Sequence, residues 1–141
     1  MACNCSTYRS NIASARNDKR IWAAEIEGFR EKIRDARSIK SDFQDHQSSV
    51  DDHKSKLDQM ADAEHGRFSG NNHKIRYVTK VKAVATSLSS VKSAISSNIS
   101  NLEDKITEYE EAITSRENKI AANESWIAGM EASIASCMEC Y

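Results

Sequence analysis

Isoleucine returns at every seventh position over the last third of the chain, at Ile99, Ile106, Ile113, Ile120, Ile127 and Ile134. Three residues after each stand Leu102, Tyr109, Arg116, Asn123, Met130 and Cys137. A helix turns once every ~3.6 residues, so apolar residues at alternating steps of three and four line one side of it. Such a stripe is buried only against another helix, and its persistence over so many heptads is a coiled-coil signature. Upstream, Val81, Val84, Leu88, Val91 and Ile95 keep the same rhythm. The step from Val91 through Ile95 to Ile99 is four plus four, which predicts a stutter that locally unwinds the supercoil.

The first half carries a second stripe. Tyr8, Ala15, Trp22, Phe29, Ala36, Phe43, Val50 and Leu57 recur in sevens. The companion seam four residues later reads Ile12, Lys19, Ile26, Ile33, Lys40, Gln47, Lys54 and Ala61, and turns polar toward the middle of the chain. Between the stripes lies HGRFSGNNH, residues 65–73, where Gly66 suits a left-handed helix C-cap and Asn71 or Asn72 an N-cap. The expected fold is all-α: one domain over residues 1–141, with helix one about 6–64, a turn at 65–73 and helix two about 74–139. Each helix would be about 90–100 Å long. The composition agrees, with no proline, 29% charged residues, 6% aromatics and a mean hydropathy of -0.65.

A rod of this kind either pairs with a copy of itself or folds back. The short break favours an antiparallel two-helix coiled-coil hairpin. Charge favours it too. Residues 71–100 carry Lys74, Arg76, Lys80, Lys82 and Lys92 and no acid, opposite a segment with Asp42, Asp45, Asp51, Asp52, Asp58, Asp62 and Glu64. Past residue 100 the balance is acidic, opposite the Arg- and Lys-rich stretch from Arg9 to Arg37. Folding near residue 69 pairs Phe29 with Tyr109 or Ile113, sets Trp22 near the Arg116 guanidinium, and gathers Lys19, Arg116 and Asn123.

The same fold brings Cys3 and Cys5 beside Cys137 and Cys140. Three readings stay open. The thiolates would hold a tetrahedral Zn²⁺, form one or two disulfides across the open end, or remain reduced as small apolar fillers. No other cofactor is expected.

Nothing in the chain assembles a catalytic constellation, so a non-enzymatic protein is expected. His46 and His53, seven apart among aspartates, read as a charged surface, and His65 and His73 as polar loop residues. A net charge of -1 gives no case for nucleic acid or a membrane surface as partner. The longest apolar run, Ile21-Trp22-Ala23-Ala24, falls far below the ~20 residues of a membrane span, and MACNCSTYRS lacks the apolar core of a signal peptide.

Helix, turn with an aromatic-x-Gly triplet (Phe68-Ser69-Gly70), helix: this arrangement resembles the WxG-type helical hairpins of Gram-positive type VII secretion. It is most similar to the small partner proteins encoded beside LXG-domain toxins, with Phe68 where tryptophan is usual. The resemblance implies a cytoplasmic adaptor or targeting chaperone, in some cases co-secreted. It would bind the helical N-terminal region of the toxin, alongside a second small helical protein in some families. The export signature of Tyr followed four residues later by an acid is not met at Tyr8, Tyr77 or Tyr109.

The residues also point to a partner. Ile39, Met60, Ile75, Trp126 and Ala132 fall outside the seams, and apolar residues beyond one seam call for further helices. Partner binding is therefore expected at Trp126, Ile75, Ile39 and Met60. A self-associating homodimeric spacer and a four-cysteine metal module on a coiled-coil stalk are the competing readings.

Overall fold

The computed structural model describes residues 4–64 and 71–137, and the side chains of 4–62 and 75–137. It holds two long helices, α1 (Cys5–Glu64) and α2 (Asn71–Ala135), and no strand among the described residues. The Asn4 side-chain oxygen accepts the Thr7 backbone N–H at 3.2 Å, so Asn4 is the N-cap and α1 starts one residue earlier than expected. Helix α2 takes in Asn71, Asn72 and His73, which the sequence assigns to the turn, and ends at Ala135 rather than near 139. At that end the Cys137 N–H reaches back only three residues, to the Ile134 carbonyl at 3.1 Å. The Ser133 and Ser136 hydroxyls donate to the Gly129 and Ser133 carbonyls, and such local bonds compete with helix continuation. Gly66, Phe68 and Gly70, with the turn they were expected to form, lie outside the described residues.

The hairpin consists of two compact units. The terminal unit joins Met1–Asp35 to Ile106–Tyr141, and the central unit is Ala36–Lys105. In both, the helices run antiparallel. Arg16 meets Glu131 and Arg30 meets Glu117 in the terminal unit. Lys40 meets Glu103 and Lys92 meets Asp51 in the central one.

The α1 seam follows the predicted stripe at every position, from Tyr8 and Ile12 to Leu57 and Ala61, each buried or half-buried. Cys5 extends it by one step. In α2 the stripe from Ile99 to Cys137 is likewise turned inward. Upstream the structure departs from expectation. Val84 and Val91 are 49% and 47% exposed, while Ala85 is buried at 7% and Lys92 is half-buried. The seam therefore runs Val78, Val81, Ala85, Leu88, Lys92, Ile95, Ile99, in unbroken steps of three and four, and the expected stutter is absent. The backbone holds one heptad register, so a long lysine enters the seam and two valines are left outside it. Lys92 is accommodated because its stem packs along the seam while its ammonium reaches Asp51 at 2.7 Å.

The terminal unit has an apolar centre at Ile12, Ala15 and Ile127, with Met130 and Ile134 packed against it. Each isoleucine so buried contributes about 1.5–3 kcal/mol. Phe29 and Tyr109 meet as predicted, ring centroids 5.8 Å apart. Arg116 is not on Trp22. Its guanidinium lies 5.2 Å from the Phe29 ring and its Nε donates to Glu25 at 2.9 Å, while Lys119 sits 5.8 Å from Trp22. Helical side chains lean toward the N-terminus, so a long arginine covers a spot about one turn away from where its position number points. Of the three polar seam residues expected together, Lys19 pairs with Glu124 and the Asn123 amide donates to the Ala15 carbonyl at 2.9 Å, whereas Arg116 is turned to Glu25 and Phe29.

The central unit has a thinner apolar seam, in which Lys40, Gln47, Lys54 and Lys92 take inward positions between Ala36, Ala61, Val78, Val81, Ala85 and Ile95. Its α2 segment is rich in serine. The hydroxyls of Thr86, Ser87, Ser89, Ser90, Ser93 and Ser97 each donate to the carbonyl four residues back.

Candidate functional site: the apolar edge of the central unit

Heptad letters make the surface legible. In α1, Ile12 and its repeats are a and Tyr8 and its repeats are d; in α2, Val78 and its repeats are a and Val81 and its repeats are d. Position e follows d and position g precedes a, so e and g flank opposite sides of the seam.

The e side is a charged edge in both units. In the terminal unit Arg16 and Arg30 bridge to Glu131 and Glu117, all at e, and seam Lys19 reaches e-position Glu124. In the central unit seam Lys40 and Lys92 reach Glu103 and Asp51, both at e, and Gln47 donates to Ser96 at 2.7 Å. Pairs this exposed are worth about 0.2–1 kcal/mol each, and they set orientation more than stability.

The g side differs between the units. In the terminal unit it carries Asn11, Asp18, Glu25 and Lys32 on α1, and Lys32 lies 5.6 Å from both the Phe29 and Tyr109 rings. In the central unit it carries Ile39, His46, His53 and Met60 on α1, and Tyr77, Val84, Val91, Asn98 and Lys105 on α2, so its apolar part on α2 is confined to 77–91. Ile39 and Met60 are 47% and 48% exposed, about as much as the two valines. Large aliphatic side chains lining one edge, with the opposite edge given to ion pairs, are the pattern of an unfilled helix-packing surface.

The residues expected at a partner surface are thereby sorted. Ile39 and Met60 belong to this edge. Ile75 is the most exposed of the described large apolar residues at 59%, but it occupies e, on the charged side. Trp126, 42% exposed, belongs to the terminal unit, where it borders an open groove of about 350 Å³ with Asn11, Ser14, Ala15, Asp18 and Asn123. That rim is mostly polar, and the terminal unit's other exposed large apolar side chain, Ile21, does not line it. Val84 and Val91 are binding candidates that sequence reasoning placed in the seam instead. Counting down in sevens from Ile99 reaches Lys92, Ala85 and Val78, the signal that would have excluded them.

Cys5 and Cys137 are both disulfide-bonded, at an a and a d position respectively. A cystine sulfur offers no thiolate to a metal, so in this form neither is a zinc ligand. Cys3 and Cys140 lie outside the described residues. Among the described residues no helix is long and apolar enough to cross a membrane. No family model, curated protein or solved structure shows significant similarity to the chain.

Proposed function

We propose that the chain is a non-enzymatic adaptor, a targeting chaperone that binds the helical N-terminal region of a type VII-secreted, LXG-type effector and promotes its export. The observation that carries this reading is the exposed apolar edge of the central unit, Ile39 and Met60 with Val84 and Val91. A hairpin whose sole task was to space two ends apart would gain solubility by making that edge polar. The type VII assignment rests on the helix–turn–helix resemblance and the Phe68-Ser69-Gly70 triplet. In this reading the protein works in the cytoplasm and accompanies its effector outward in some systems, with a second small helical protein as a further partner.

Co-expression with the products of neighbouring reading frames, followed by affinity capture, tests the proposal. A helical effector region retained through purification supports it. Retention of no neighbour, with a tight homodimer in sedimentation, replaces it with the spacer reading. Stoichiometric zinc under reducing conditions, with loss of terminal structure on chelation, would favour the four-cysteine module.

A further inference from the structure

We infer that the g edge of the central unit receives one amphipathic helix of the partner, basic along its border with α1 and acidic along its border with α2. This deepens the adaptor reading and rests on it.

Three features of the edge fix the chemistry of its occupant. On α1 the edge runs from Ile39 through His46 and His53 to Met60, about 30 Å of helix, and Val84 and Val91 lie on α2, so the occupant is helical and ~20 residues long, apolar at its ends on the α1 side and against the two valines on the α2 side. Its apolar stripe meets isoleucine, methionine and valine. The border on α1 is acidic, with Asp42 at c and Asp45 and Asp52 at f, and Lys56 nearest the turn. The border on α2 is basic toward the turn, with Lys80 at c and Arg76 at f, and α2 has no acid from residue 75 to 100.

Beyond Lys80 the α2 border is small: Ala83, Ser87, Ser90 and Ala94. Side chains of this size let a neighbouring helix approach closely. Single helices laid into apolar grooves are a recurrent recognition mode, with anchors spaced three and four apart. Opposite signs on the two borders then select the direction and register in which the helix lies.

A pair of synthetic peptides tests this on the intact, oxidised protein. Both are ~20 residues long with a leucine and isoleucine stripe. One carries lysine on the border meant for α1 and glutamate on the border meant for α2; in the other the borders are exchanged. The expected result is at least ~10-fold tighter binding of the matched peptide, about 1.4 kcal/mol. Val84→Asp with Val91→Asp should abolish that binding and Ile75→Asp should leave it intact, with all variants equally helical by circular dichroism.

Equal affinity for both peptides, no binding of either, or indifference to the valine pair would overturn the inference. So would a concentration-dependent dimer of the free protein that the valine pair dissociates, since the edge would then belong to a second copy. Amide exchange on the captured effector complex keeps the two proposals apart. Capture without protection at 39–60 and 84–91 sustains the adaptor and defeats this surface, whereas matched-peptide binding without effector capture does the reverse.

Discussion

The terminal unit places Ile12, Ile26 and Ile127 in its seam and meets solvent largely through paired charges, including Arg16–Glu131 and Lys19–Glu124. The central unit keeps a buried seam at Ala36, Ala61, Val78, Val81, Ala85 and Ile95, but it turns Lys40, Gln47, Lys54 and Lys92 inward and leaves Ile39, Met60, Val84 and Val91 outside. Both are made from the same two helices in the same antiparallel arrangement. What separates them is where the apolar surface is directed. Among the described residues the terminal unit leaves Ile21 and Trp126 as large exposed apolar side chains, against Ile39, Met60, Ile75, Val84 and Val91 in the central unit. A unit that buries lysine stems and exposes valine is weaker alone and gains most from a third helix.

Perturbing the terminal seam should have the largest effect. Ile127→Ala removes a side chain that is 8% exposed and should cost about 2–4 kcal/mol, read by denaturant unfolding. Hydrogen exchange should accelerate in 5–35 and 106–135 while 40–60 and 84–100 hold their rates. Global acceleration would mean that the units are not separately stable.

Reduction of the cystines at Cys5 and Cys137 should lower terminal stability by on the order of 2–3 kcal/mol. Thermal melts with and without dithiothreitol measure it, and an unchanged melting temperature would remove the disulfides from the terminal unit's stability.

Lys92→Leu brings the central unit closer to the terminal one. It loses an ion pair whose partners are 42% and 48% exposed, and it fills a half-buried seam position with apolar surface. A net gain of about 1 kcal/mol is expected from these two terms. A loss instead would mean that the lysine helps to fix the register.

Gly28→Ala should add about 0.5–1 kcal/mol to the terminal unit. A Cβ there meets no atom within 4 Å, so the entropic gain comes without a clash, and a destabilised variant would expose a misplaced helix face. The smallest effect belongs to Val84→Ser, within about 0.5 kcal/mol for the isolated hairpin, because the side chain is already half in water. A cost of several kcal/mol would return Val84 to the seam and dissolve the contrast between the units.

Much of the architecture was legible in the sequence because it depends on period alone. The α1 stripe from Tyr8 to Ala61 needed only the spacing of aromatic, aliphatic and polar residues, and the helix ends fall within a few residues of those expected. The α2 register between Val78 and Ile95 was not legible from residue type. Valine looks more like a seam residue than alanine or lysine, yet Ala85 and Lys92 are inside and Val84 and Val91 outside. Backbone geometry outweighed side-chain preference there.

The candidate site was half legible for the same reason. Ile39 and Met60 fall off any seam and were recognisable, whereas the valines were hidden by the assumption that apolar means inward. Trp126 and Ile75 are exposed, as residues outside the seams should be, but they stand on other faces than Ile39 and Met60, a separation that residue type does not reveal.

The serine and threonine hydroxyls of α2 bear on what an incoming helix would meet. The hydroxyl protons of Ser87 and Ser90, the serines that border the g edge, are already directed at carbonyls of their own helix. A sequence that scores as polar therefore offers a neighbour few groups that must be stripped of water before contact. To another chain this stretch behaves more like polyalanine than like a hydrophilic strip, which lets a surface that remains soluble when alone become a dry one when covered.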